Sequence, residues 1–147
     1  MVLKNFIECI KNSIGTRMFR SYFVDDVDVL KNGDLSCAFY VSSLLHIFGL
    51  IDRAHFTVDG TEFAMKNAGW VEIKKLKPGC VIFWEPIIQD GNHHRHIGFY
   101  IGENQAISNR SSLQAVGEHA LHYSGLDKDN KRKKAKINRL YWHKSLV

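Results

Sequence analysis

The sequence lacks most of the features that would fix its class at once. It has three cysteines, Cys9, Cys37 and Cys80. An odd count builds no disulfide framework. No two of them form a C-x-x-C, which argues against a zinc ribbon or a dithiol redox motif. Free thiols fit a reducing compartment. No apolar run approaches the ~20 residues that a spanning helix needs, and no internal repeat or low-complexity stretch is visible. The N-terminus, MVLKNFIECIKNSIG, lacks the marks of a secretory signal. Lys4, Glu8 and Lys11 interrupt its apolar residues, and no small-residue cleavage site follows. Val2, Leu3, Phe6, Ile7 and Ile10 fall at helical spacing instead, which predicts a short amphipathic helix. A cytoplasmic location is the default expectation, with delivery to a cell wall by a non-signal route left open.

What is present is an ordinary globular composition. The 147 residues are 45% hydrophobic and 24% charged, which fits one domain over 1–147 with a core of its own. The formal charge is +5, and much of it comes from Lys128–Lys136, KDNKRKKAK. The simplest reading of that segment is a solvated loop. The functional alternative is a patch for an anionic polymer or membrane surface. No aromatic residue interleaves with these charges, so no nucleic-acid partner is expected.

The periodicity changes midway. A helix over about 2–14 is followed by an irregular stretch over 16–35 with a turn at Asn32-Gly33. A second helix starts near Ser36, with Val41, Leu44, Leu45 and Phe48 on its apolar face and Gly49 at its end. A third spans about Asp59–Ala68. After Trp70 the pattern becomes strand-like: Val71–Ile73, a turn at Lys77-Pro78-Gly79, then the buried run Cys80–Trp84. Glu85–His94 reads as a polar loop. His96–Ile101 alternates, Gly102–Asn104 turns, Gln105–Ser108 returns, and Ile137–Trp142 is a last strand. Helices first and antiparallel strands afterwards predict an α+β domain.

Cys37 lies in the first turn of the second helix, where unpaired N–H groups and the helix dipole favour a thiolate and can hold an oxyanion. Taken alone, it reads as a small buried hydrophobe. His96 changes that balance, because an imidazole from another element is the usual base for a thiol. Gly98, two residues on, leaves room for a close neighbour, for which the Cys37 helix is the candidate. The run His93-His94-Arg95-His96 belongs to a chain with eight histidines. No cysteine or carboxylate has ligand spacing to it, so neither a metal nor a cofactor is expected. A third group must orient the imidazole. Ser108 and Asn109 follow one hairpin later. Adjacent strand residues point to opposite faces, so at most one of them serves. The amide of Asn109 is the more rigid acceptor and is the preferred candidate.

Three blocks carry a resemblance. SCAFYV at Ser36–Val41, LKPGCVIFW at Leu76–Trp84 and HIGFYIGENQAIS at His96–Ser108 resemble, in order and spacing, the nucleophile, strand and histidine motifs of the NlpC-type and CHAP cysteine peptidase-amidase families of the papain-like superfamily. The resemblance implies a small papain-like α+β domain. In it the Cys helix packs on an antiparallel sheet of about five or six strands. It also implies a catalytic Cys37–His96 pair with a polar third member, and amide hydrolysis in peptidoglycan-type peptides by an endopeptidase or amidase. Counting along the motif without gaps places the third member at Ser108, where these families usually have His, Glu or Asn. Cys80 stands where the strand motif has Asp. Two alternatives stay open: a lipid- or protein-directed thiol hydrolase or acyltransferase of the same superfamily, and a catalytically inactive binding module.

Overall fold

The apolar run at Val81–Trp84 has too many buried residues in a row for a sheet with one wet face. Alternate side chains must enter different cores, which requires cover on both sides. That is how the computed structural model is built. It describes residues 3–89, 92–122, 124–126 and 132–147. Val81 and Phe83 point into a core shared with the helices, and Ile82 and Trp84 enter a second core with Ala106, Leu121, Ala135 and Leu140.

In chain order the elements are α1 (Leu3–Asn12), β1 (Phe23–Val24), β2 (Val27–Asp28), α2 (Cys37–Ile47), α3 (Val58–Asn67), β3 (Val71–Ile73), β4 (Val81–Gln89), β5 (Asn92–Gly102), β6 (Gln105–Arg110), β7 (Ala115–Ala120), β8 (Ser124–Leu126), β9 (Arg132–Lys134) and β10 (Ile137–Trp142). Among the described residues the main path is a six-stranded antiparallel sheet in the order β3-β10-β4-β5-β6-β7. β8 pairs with the far end of β4, and β9 pairs with β8. The helices bury Phe6, Ile10, Val41, Leu45 and Met65 against one face, where they meet Phe83, Ile97, Phe99 and Ile107. The fold is therefore α+β, as the order of periodicities predicts.

Three sequence expectations need correction. Glu85–His94 is not a loop: β4 runs on to Gln89 and β5 starts at Asn92. The pairing register shifts between Trp84 and Ile87. Such a bulge accommodates Pro86, which has no N–H to give the ladder. The Asp90-Gly91 turn signal lies outside the described residues. The stretch 16–35 is not wholly irregular. β1 and β2 form a small separate sheet around Asp25 and Asp26, both at positive φ. The Asp28 carboxylate then accepts from the N–H groups of Tyr22, Leu30 and Asn32 at 2.8–3.1 Å, which sets the path into α2. Finally, β7 to β9 have no counterpart in the sequence reading. Residues 128–131 of the basic segment lie outside the described residues, and the rest begins with β9.

One buried carboxylate ties the sheet to a helix. Glu62 of α3 accepts from Arg139 at 2.5 Å, Tyr141 at 2.7 Å and Arg95 at 3.4 Å, and it pairs with Lys66 at 3.3 Å. Arg95 also pairs with Asp59. Burial pushes the Glu62 carboxyl up, but the Tyr141, Arg139 and Lys66 hydrogen bonds outweigh it and hold it at about 2, below the ordinary 4.5. A carboxyl depressed in the folded state contributes stability above its unfolded value and loses it as the pH falls through the folded one. Glu62→Ala is expected to lower stability by about 1–3 kcal/mol near neutral pH, the cost of unsatisfied buried partners. The difference from the parent should shrink as the pH falls from 4.5 towards 2. Urea unfolding across that range checks this, and a difference independent of pH would contradict it.

Candidate active site

Cys37 is the first residue of α2, and its sulfur lies 3.9 Å from the carbonyl oxygen of Arg95. The N–H groups of Ile97, Ala38 and Cys37 itself also act on it. Arg95 and Ile97 flank His96, so the sulfur rests against the backbone of the His96 residue. The helix N-terminus favours a thiolate, but here a larger effect opposes it. Burial pushes the thiol up to about 11, and the three N–H groups offset only part of that. Desolvation disfavours the charged form more than the end of one helix restores it. The resting group is therefore a neutral thiol near pH 7. Buried Cys80 is raised to about 11 for the same reason, with only the N–H groups of Lys77 and Cys80 opposing burial.

Strand alternation sends Ile97 and Phe99 to the helices, and His96 and Gly98 to the opposite face. There the His96 ring lies 5.2 Å from the ring of Trp84, which is fully buried and anchored by its indole N–H on the Leu121 carbonyl at 2.7 Å. His96 Nε2 is 2.8 Å from the Ser108 hydroxyl. Nε2 is the ring nitrogen far from the backbone. Nδ1 is the near one, and both the ring and the Cys37 thiol line one cleft. Burial, with smaller contributions from His119 and Arg110, holds His96 down at about 3, so the ring is neutral near pH 7.

Asn109 does not hold His96. Its side chain is buried on the other face of β6, where Nδ2 donates to the Gly33 carbonyl at 3.1 Å and ties down the segment that leads into Cys37. The parity rule holds, and the choice between the two neighbours goes to Ser108. The pairing of Phe99 with Ile107 puts Ser108 on the His96 face. The close neighbour of Gly98 is also corrected. A Cβ there would meet the Ile107 carbonyl at 2.8 Å, Ser108 Cβ at 2.9 Å and Trp84 at 3.1 Å. The glycine makes room for β6 and the indole, not for the Cys37 helix.

A side chain that the sequence reading passed over completes the cluster. His119 Nε2 is 2.7 Å from the same Ser108 hydroxyl, and its Nδ1 is 2.7 Å from the Ala120 carbonyl. Its ring also lies over Trp84, at 5.5 Å. Ala115-Val116 was the one apolar signal for its strand, and Gly117 and Glu118 break the alternation. A cleft of about 730 Å³ opens over Cys37, His96, Ser108 and His119, with Phe56 and Ile88 on apolar walls and Arg110 among its polar groups. That size suits a small organic ligand or a short peptide. Among the described residues, no group of three or more histidine, cysteine or carboxylate side chains is placed to hold a metal ion.

The neutral thiol has a spectroscopic consequence. The difference in ultraviolet thiolate absorbance between the parent and Cys37→Ala should appear only above the ordinary thiol value of 9.0, centred near pH 11. A difference already present at neutral pH would mean a preformed thiolate and would contradict it.

No protein-family model matches the chain, and no curated protein matches it either.

Proposed function

We propose that the protein is a cysteine-dependent amide hydrolase of NlpC/CHAP type that acts on peptidoglycan-type peptides. The observation that supports this most is the placement of the Cys37 sulfur. It rests at a helix start, against the backbone of His96, whose far nitrogen is engaged by Ser108 in an open cleft. The three motif blocks supply the substrate class.

The reading implies these steps. His96 Nδ1 takes the thiol proton as Cys37 attacks the substrate carbonyl, because a thiol near 11 is a poor nucleophile unaided. Backbone N–H groups at the start of α2 stabilise the tetrahedral oxyanion. The C–N bond breaks, and the imidazolium gives its proton to the leaving amine. Water then attacks the thioester while His96 accepts its proton, and the carboxylic acid leaves with the thiol restored. Ser108 engages Nε2, which leaves the proton transfer to Nδ1.

A second reading, a lipid-directed acyltransferase on the same Cys37–His96 pair, draws on a different observation. Phe23, Val24 and Val27 are exposed on the β1–β2 sheet, and the Tyr22 ring beside them packs at a tilt against the cleft residue Phe56, with centroids 4.7 Å apart. It is separated from the first by co-sedimentation with anionic vesicles.

Mass spectrometry of muropeptides after incubation with the pure protein is the test. New fragments differing by one water at an amide bond are expected. Cys37→Ala and His96→Ala should abolish them. Ser108→Ala should lower turnover by at least about tenfold, since general-base contributions run from about 100-fold upwards. Asn109→Ala should act mainly on stability, with a smaller effect on turnover. Unchanged muropeptides, or cleavage that survives Cys37→Ala, would sink this reading.

A further inference from the structure

A serine hydroxyl between two imidazoles has no direction of its own. It rotates, and it donates to one ring while accepting from the other. Which way it points decides where the proton sits on His96. If Ser108 accepts from His96, that ring carries its proton on Nε2 and keeps a lone pair on Nδ1. If Ser108 donates to His96, the proton is on Nδ1 and that nitrogen has no lone pair with which to take a thiol proton. His96 and Ser108 by themselves leave both arrangements available.

The far end of the chain of contacts breaks the tie. The Ala120 carbonyl only accepts, so His119 Nδ1, 2.7 Å away, carries the proton. A neutral imidazole with Nδ1–H has its lone pair on Nε2. That lone pair lies 2.7 Å from Ser108 Oγ, so the hydroxyl donates to it. Ser108 Oγ then accepts from His96 Nε2–H at 2.8 Å. Both rings sit on the same buried indole. Burial also lowers the His119 value, as does Arg110, against a smaller opposing effect of the Ala120 carbonyl.

We propose that His119 is a positioning residue: anchored on its own neighbour's carbonyl, it orients the Ser108 hydroxyl and thereby fixes His96 in the tautomer that can take the Cys37 proton. This rests on the reading of Cys37 and His96 as a nucleophile and its base. The third member of the site is thus a serine–histidine pair. The hydroxyl touches the base, and the second imidazole gives the hydroxyl its direction.

The test reads ring protonation directly, by two-bond proton–nitrogen correlation on the full chain labelled at histidine nitrogens, at neutral pH and without substrate. The expected pattern is His96 protonated at Nε2 and His119 at Nδ1. His119→Phe removes the acceptor, so His96 should lose its single tautomer. Alkylation of Cys37 by iodoacetamide at neutral pH should slow by at least about tenfold, less than the ~100-fold or more of a general base lost outright, because the base is only misprotonated part of the time. His119→Gln keeps an acceptor towards Ser108 and should restore both readouts, a rescue that a merely structural role does not give. A His96 proton on Nδ1 in the parent, or an unchanged Nε2–H tautomer in folded His119→Phe, would overturn the proposal. If His119→Phe fails to fold, the parent and His119→Gln still decide it, because a His96 proton on Nδ1 in either overturns it. No amide substrate enters these measurements. A protein with the expected tautomers that leaves muropeptides intact therefore removes the hydrolase reading and keeps the role of His119.

Discussion

The contact between Ser108 and the far nitrogen of His96 is the constraint on which the rest of the site depends. An imidazole on a strand has two rotatable bonds and two tautomers, and only a small part of that space places a lone pair at a neighbouring sulfur. The hydroxyl at 2.8 Å removes most of that freedom at one end of the ring. The other end carries Nδ1, in the cleft that Cys37 also lines. Because the thiol is held up at about 11 by burial, no standing thiolate relieves the ring of this requirement. A neutral thiol acts as a nucleophile only with a well-placed, uncharged base.

The fold protects that contact by packing rather than by flexible polar links. Trp84 is a buried floor under both imidazoles, locked by its own hydrogen bond to Leu121. Gly98 lets β6 come close enough for Ser108 to reach across, where any side chain would strike the Ile107 carbonyl at 2.8 Å. On the helix side, Glu62 and Asp59 hold Arg95, whose carbonyl faces the thiol. Asn109 pins the turn before α2 through Gly33. Cys37 and His96 thus come from elements tied to each other on both faces of the sheet.

Much of this was legible in the residues, for identifiable reasons. Strand alternation in His96–Ile101 and the β-branched run at Val81–Trp84 are strong local signals, and both strands are where they indicate. The start of α2 at Cys37 was equally plain. The polar neighbour of His96 was half legible. Parity allowed only one of Ser108 and Asn109 to reach it; counting along the motif pointed to Ser108, the residue in contact, and amide chemistry to Asn109, because register across the Glu103-Asn104 turn is a matter of backbone pairing. His119 was not legible at all. It reaches Ser108 by the pairing of β6 with β7, whose sequence has little periodicity. The extension of β4 past Pro86 depends on a bulge, and the balance between helix dipole and burial at Cys37 depends on packing that no local pattern records.

The most direct measurement of the central claim is intact-protein mass spectrometry after rapid acid quench of the protein mixed with muropeptides. The account expects, within the first turnover, a mass increase equal to the acyl part of the peptide, mapped to Cys37 and lost on longer incubation as the thioester hydrolyses. Muropeptide cleavage with the adduct on another residue, or cleavage undiminished in Cys37→Ala, would contradict it.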